Sequence, residues 1–372
     1  MSARPSPGQA GLFWSTAGES HGPCLIAQLD GLPAGLTLDL DAMRAGLKRR
    51  WEGYGRGLRA GFEKDELAIL SGLKQGVTLG SPLVVQLGNA DTRIDELPNL
   101  KAPRPGHADL PGVLRMKARD VRAQLERASA RETAARTALG EVCRQLLAAF
   151  NIQVSSQVLS IGGIAFEQTE AWQQAVDQAR EEGNSLGGCF RVTATGCPPG
   201  LGGFAQAVDR LDARLMAALA SIQAVKAVSI GMGQEAGETP GAAYHDPIEL
   251  NPVGWAGLGR GSNHAGGVEG GLSNGQDIIL QAVLKPIPTL RKGVASVDLA
   301  TMEAARATYE RSDVSVVEPA AVVGEAMLCL ELASALCARL GNVSMREMRQ
   351  RIQELGKNER PADWPSDISG LN

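Results

Sequence analysis

Histidine is scarce in this chain: four in 372 residues, at 21, 107, 245 and 264. Few side chains are therefore ready to move protons near neutral pH, and the surroundings of each one matter. The six cysteines, at 24, 143, 189, 197, 329 and 337, form no CxxC pair and no metal-ligand spacing. That excludes zinc-ribbon and thioredoxin-like readings, and no metal is expected. The N-terminal "MSARPSPGQAGLFWSTAGESHG" has no long apolar run, so no secretory signal is read there. The thiols are then expected to be reduced and mostly core-filling. The most apolar late segment, 320–340, carries Glu325 and Glu331 inside it. A buried amphipathic helix suits it better than a membrane span. Positive charge is not in surplus either, with a net charge of −4 and a pI near 5.7. A nucleic-acid binder needs a concentrated basic surface. Neither nucleic acid nor a membrane is an expected partner, and the expected location is cytoplasmic.

What is present is ordinary globular material, 44% apolar and 21% charged, enough for one large core or two smaller ones. The segment 76–89 predicts a turn and then a buried strand over 82–87. Residues 132–150 predict a helix, with Leu139, Val142, Leu146 and Phe150 on one stripe. Leu211, Leu215, Leu219 and Ile222 repeat that spacing, and a strand follows at "AVKAVSIG". "DIILQAVL", 277–284, predicts another strand. An internal echo links "GLPAGLTLDLDAMRAGL" from Gly31 to "GCPPGLGGFAQAVDRLDARLMAAL" from Gly196. Each reads as a turn followed by Leu-Asp-Ala opening a helix, which suits a pseudo-symmetric single domain. The region 1–355 is expected to form one domain, and 356–372 a polar exposed tail.

The arginines are unevenly placed. "ERASARETAAR", 126–136, fits a capping box. In that motif Ser129 accepts from the Glu132 amide and Glu132 reaches back to the Ser129 amide. Arg127 and Arg131 then crowd a helix end whose dipole is already positive. Two readings stand: a solvated helix end, or a phosphate or carboxylate site. A second cluster, "KRRWEGYGRGLRAGFEKDE", sets Arg50, Arg56 and Arg59 around a glycine-rich loop suited to clamping oxyanions. His21 and His107 each lie in glycine turns near carboxylates, Glu19 and Asp109, as candidates for proton transfer. Nine glycines fall between Gly254 and Gly275, but a strand follows them rather than precedes them. That order argues against a dinucleotide-binding Rossmann unit and leaves a loop that can approach a flat ligand closely.

"TAGESHGP", "GYGRG", "RPGHADL", "ERASARETAAR", "AGGVEGGLSNG", "KPIPT" and "ERSDV" occur in this order across nearly the whole chain. Together they closely resemble the chorismate synthase family. The resemblance implies an α+β fold, a single large β-α-β sandwich domain with internal pseudo-symmetry, assembled as a homotetramer. It implies a lyase that converts 5-enolpyruvylshikimate 3-phosphate to chorismate by 1,4-anti elimination of phosphate, the last step of the shikimate pathway. Reduced FMN is the implied cofactor, with NADPH as a candidate source of its electrons.

Carried over by motif, His21 is the acid for phosphate departure, with Ser20 tuning its proton path. His107 is the partner of the flavin ring, and Asp313 is the carboxylate near flavin N5. Arg127, Ala128, Ser129, Gln223, Ala224, Gly270, Lys285, Pro286, Ile287, Pro288, Thr289 and Arg311 form the implied flavin set. Arg50, Arg56, Arg59 and Arg131 are implied contacts of the phosphate and carboxylate groups. The chain departs from the family pattern at Trp51-Glu52 and at His264. The alternative kept beside the enzyme is a catalytically inactive flavin- or anion-binding protein of the same fold.

Overall fold

The computed structural model describes residues 11–57, 65–118, 120–310 and 313–355. Arg59, Arg311 and the tail 356–372 lie outside them. Two antiparallel sheets flank a helical interior. The first sheet has the order β1-β2-β4-β3, with β1 Phe13–Ala17, β2 Cys24–Asp30, β3 Glu66–Ser71 and β4 Leu83–Gly88. The second has the order β5-β6-β8-β7, with β5 Gln153–Ile161, β6 Gly188–Thr195, β7 Val225–Ile230 and β8 Ile278–Leu284. The short strand Ile164–Ala165 borders β5.

Period-two burial explains why these segments are strands. Leu25, Ala27 and Leu29 of β2, and Leu83, Val85 and Leu87 of β4, turn inward. Phe190, Val192 and Ala194 of β6 do the same against Ile278, Leu280 and Ala282 of β8. Alternation of this kind marks a sheet with one face on the core.

Four helices fill the space between the sheets: α1 Leu40–Arg49, α2 Thr133–Ala148, α3 Leu211–Ala220 and α4 Val317–Leu340. Along the chain the elements run β1-β2-α1-β3-β4-α2 and then β5-β6-α3-β7-β8-α4. The sheet orders match element for element, so the echo between Gly31 and Gly196 is a structural repeat. Both glycines end a central strand with positive φ, +87° and +78°, and in both a Cβ would strike a backbone carbonyl, of Gly11 and Asn151. Leu40-Asp41-Ala42 and Leu211-Asp212-Ala213 open the equivalent helices.

The segment read as an amphipathic helix is α4, and it is buried on nearly every side. It is long and apolar enough to cross a membrane, yet it packs against α2, α3, β5 and β6 inside the protein. Two of its acidic residues, Glu325 and Glu331, are absorbed differently. Glu331 pairs with Arg214 at the margin, 3.0 Å away. Glu325 is fully inside, where Arg49, Arg144 and Ser156 bind it at 2.8, 2.6 and 2.6 Å. A buried carboxylate needs such company to stay charged. Burial pushes its carboxyl up, but hydrogen bonds from Arg49 and Ser156 and the charge of Arg144 bring it below the ordinary value. Cys143, Cys197, Cys329 and Cys337 are buried free thiols, as expected.

The two halves meet most closely where α2 crosses α4. A Cβ at Gly140 would collide with the Cβ and Cα of Ala326. Gly140→Ala gains about 1 kcal/mol of helix propensity, but it forces two buried helices apart, an overpacking cost of about 1–3 kcal/mol. We expect the variant to unfold at lower urea than the parent. Unfolding followed by circular dichroism checks it, and an unchanged or higher midpoint contradicts the close contact.

Candidate active site

Ser20 and His21 sit in the turn between β1 and β2. The backbone N–H of His21 donates to Glu126 Oε2 at 2.9 Å, and its Nδ1 lies 2.9–3.0 Å from both oxygens of that carboxylate. Nε2 is 4.0 Å from Asp91 Oδ2. Asp91 is itself held by Arg93, whose hydrogen bonds draw its carboxyl down to about 2. Glu126 is buried, which raises its carboxyl, but the His21 hydrogen bonds and the Arg122 charge leave it below the ordinary range. The carboxylate expected beside His21 was Glu19. Glu126 holds that place, because helix Arg122–Ala128 packs its last turn against the hairpin.

The next turn differs from the capping box read in the sequence. Ser129 Oγ accepts from the Arg131 amide at 3.3 Å, capping a short 3-10 turn, Ala130–Glu132. Glu132 does not reach back. Its carboxylate accepts from Thr16 Oγ1 at 2.6 Å, Arg136 Nε at 2.8 Å and Gln223 Nε2 at 3.3 Å. A charged partner one helical turn ahead outcompetes an exposed amide. Ser129 Oγ also donates to Ser20 Oγ at 3.2 Å. Arg127 donates to the carbonyls of Thr16 and Gly18 at 3.0 and 3.3 Å. The flavin-binding turn expected at 127–129 thus lies against the loop of Ser20 and His21.

The crowding of arginines at this turn is resolved mainly within the chain. Arg131 is buried, ion-paired with Asp65 and bonded to Asn89 Oδ1 at 2.8 Å and to the Gly88 carbonyl at 3.2 Å. Arg50, at the end of α1, is also buried, and donates to Thr133 Oγ1 and the Ala130 carbonyl, both at 3.0 Å. Its NH1 has no partner among the described residues, and neither has Nε of Arg56. Arg56 pairs with Asp313 at 2.8 Å, and the Gly57 amide donates to the same carboxylate at 2.5 Å. Burial lowers the Arg50 guanidinium to about 10; Asp65 and Asp313 oppose that shift, and Arg131 and Arg56 add to it. Three guanidinium groups and two carboxylates therefore share one electrostatic neighbourhood, drawn from sequence regions up to 263 residues apart.

A third group adjoins. His107 Nδ1 is bound to Asp109, a buried carboxylate that also takes three bonds from Arg104 at 2.8–3.0 Å. Arg104 reaches Thr289 Oγ1 at 2.9 Å, joining "RPGHADL" to "KPIPT". A Cβ at Gly106 would stand 3.7 Å from Lys285 Nζ. Burial lowers the Lys285 ammonium, and Lys226 lowers it further. The Lys285 amide donates to the Ala224 carbonyl at 3.0 Å, and Ala224 adopts a left-handed φ of 71°. Gln223 links this group back to Glu132, and its own Oε1 is buried without a partner among the described residues.

One expected residue stays apart. Gly270 turns the hairpin Val268–Ser273, whose backbone bonds run to Leu211 and Gly203 near the start of α3, and among the described residues no hydrogen bond is seen from Gly270 to the groups above. The residues that sequence reasoning missed are Asp65, Asn89, Glu126 and Arg104. Glu126 begins the very stretch that drew notice, but its partner His21 is 105 residues away.

These features define an α+β scaffold that carries a cluster of buried arginines, partly unsatisfied among the described residues, and two histidines each held by a carboxylate. The family model described as chorismate synthase matches residues 12–337. A chorismate synthase of Caldanaerobacter subterraneus is 46% identical over 338 residues, covering 90% of this chain and 95% of its own. That of Geobacter sulfurreducens is 43% identical over 383 residues, covering 92% and 98%. A solved structure described as a crystal structure of chorismate synthase superposes with a TM-score of 0.76 at 36% identity, covering 93% of this chain and 97% of that one. The chain belongs to the chorismate synthase family, and its activity is that lyase reaction.

The Glu126 geometry yields a stability test. A carboxyl held below its unfolded value stabilises the fold above about pH 4.3 and ceases to do so as pH falls through the folded value. Glu126→Gln should therefore cost about 1–3 kcal/mol at pH 7, with the deficit shrinking below pH ~4. Urea unfolding of both proteins at the two pH values checks this, and a deficit independent of pH contradicts it.

Proposed function

We propose that this chain binds reduced FMN and 5-enolpyruvylshikimate 3-phosphate together, where the loops carrying His21, Arg56, His107, Ser129 and Lys285 meet. The observation that carries this is a pair of arginines, buried Arg50 and part-buried Arg56 on Asp313, each with a buried N–H that has no partner among the described residues. Buried donors of this kind are costly unless something accepts from them. A substrate with a phosphate and two carboxylates is suited to accept. The residues also fit the flavin. Gln223 Oε1 is a buried acceptor without a partner among the described residues, Lys285 is a part-buried cation, and Arg127 and Ser129 line the adjoining turn.

In this reading Arg50, Arg56 and Arg131, with Arg59, hold the substrate anions. Arg127, Ala128, Ser129, Gln223, Ala224, Gly270, Lys285 to Thr289 and Arg311 hold the cofactor. Reduced FMN, when bound, supplies electron density to the ring from which phosphate departs. The protein orients the substrate, excludes water and places its protons. The C–O bond breaks with its electron pair going to phosphate, one ring C–H loses its proton, and a new double bond forms without net redox change. His21, anchored through Nδ1 on Glu126, gives a proton from Nε2 to the leaving phosphate, and Ser20 steadies that path. His107, anchored through Nδ1 on Asp109, turns Nε2 to the cofactor ring. Asp313, fixed by Arg56 and the Gly57 amide, takes part where the ring proton is removed.

The flavin is reduced by an external supply, with NADPH as the electron source. The protein works in the cytoplasm as a homotetramer. Exposed apolar side chains support assembly: Phe204, Val208, and Ile248 and Val253 on strand Ile248–Trp255. Burying such residues between copies removes them from water.

Anaerobic turnover with reduced FMN, followed as phosphate and chorismate released, tests the whole reading. His21→Ala and His107→Ala should each lower kcat by about 10²–10⁴ while the fold stays intact. Asp313→Asn should slow the chemical step more than it weakens FMN binding. Tight FMN binding without turnover in the parent would identify an inactive flavin-binding protein instead.

A further inference from the structure

Trp51 follows Arg50, the C-cap of α1, and packs among the buried cations. The Arg50 guanidinium carbon lies 4.8 Å from the centre of its ring, and that of Arg131 lies 5.5 Å away. Its indole N–H donates to Asp65 Oδ2 at 2.5 Å, while Arg131 pairs with the other oxygen, Oδ1. Asp65 is buried and holds a left-handed φ of 42°. One carboxylate thus serves both an indole and a guanidinium, and one ring lies within cation–π range of both arginines. Two like charges this close in a desolvated site repel each other. The aromatic face offers negative quadrupole to both, and the indole N–H pins the carboxylate that completes the arrangement.

We infer that Trp51 is a positioning residue of the anion pocket, which fixes Arg50 and Arg131 in register for the phosphate and carboxylate groups of the substrate. The inference rests on the proposal that this cluster receives the substrate. Trp51 itself need not touch it. Its effect falls on affinity and leaves the chemical step alone, because it orders donors before binding and so lowers the cost of organising them. The exposed arginines of helix Met345–Glu354, by contrast, line an open groove with Ala34 and Gly35, far from any second sign of a ligand.

The test compares Trp51→Gln with Trp51→Phe, which keeps an aromatic face and loses the N–H to Asp65. Steady-state kinetics with saturating reduced FMN give KM and kcat, and calorimetry gives the Kd of 5-enolpyruvylshikimate 3-phosphate for the protein without flavin. The Gln variant should raise KM and Kd by about tenfold, the equivalent of losing two cation–π contacts, with kcat within about twofold. The Phe variant should recover most of that affinity. Trp51→Leu, apolar but without an aromatic face, takes the place of the Gln variant if the latter does not fold. Unchanged KM and Kd in a folded Gln or Leu variant, or a Phe variant as weak as they are, overturn the role of Trp51. A loss confined to kcat or to melting temperature overturns it too. Wild-type protein that neither binds nor turns over this substrate overturns instead the functional reading beneath it.

Discussion

The contact of Gly140 with Ala326 sets how near the two halves of the molecule can come, and everything else is arranged around it. The glycine leaves no Cβ between α2 and α4, so their backbones touch. Each helix then covers its own sheet, α2 over β2 and β4, α4 over β5 and β6. The pseudo-symmetric succession of elements follows from one packing solution used twice. The same closeness brings Glu325 of α4 within reach of Arg144 of α2 and Arg49 of α1. A buried ionic knot thereby ties the end of α1 to the core, one residue before Arg50. Breaking such a knot on one side leaves an uncompensated charge, so it holds geometry more than it adds stability.

The site inherits that geometry. Loops from both halves bring side chains with a carboxylate already attached: His21 with Glu126, His107 with Asp109, Arg131 with Asp65, Arg56 with Asp313. Preformed pairs keep each side chain in one rotamer, so little has to be ordered when ligands arrive. In the proposed function the donors left without a partner among the described residues, on Arg50 and Arg56, are where an incoming anion gains most. An acidic protein can therefore bind a polyanion. Net charge governs the field at a distance, while a few desolvated guanidinium groups govern the pocket.

The strands and helices were legible because their burial is periodic. The strand at 277–284, the helix from 132 and the helix from 211 are where apolar spacing put them. The Leu-Asp-Ala echo was legible too, since equivalent helices begin alike. The capping box was misread because Glu132 had better partners than the local amide, two of them in distant segments, Thr16 and Gln223. Glu19 is the carboxylate the sequence puts near His21 for the same reason: proximity along the chain stands in for proximity in space.

The sequence by itself determined which segments form elements, through apolar periodicity and glycine placement, and, through ordered motifs, which family and reaction they serve. Only the tertiary structure decided which carboxylate meets which cation. Hydrogen bonds and ion pairs act over a few ångströms, and the residues that make them here are separated by 42, 66, 105 and 257 positions. No local pattern encodes such a pairing; the packing of two sheets on one pair of touching helices does.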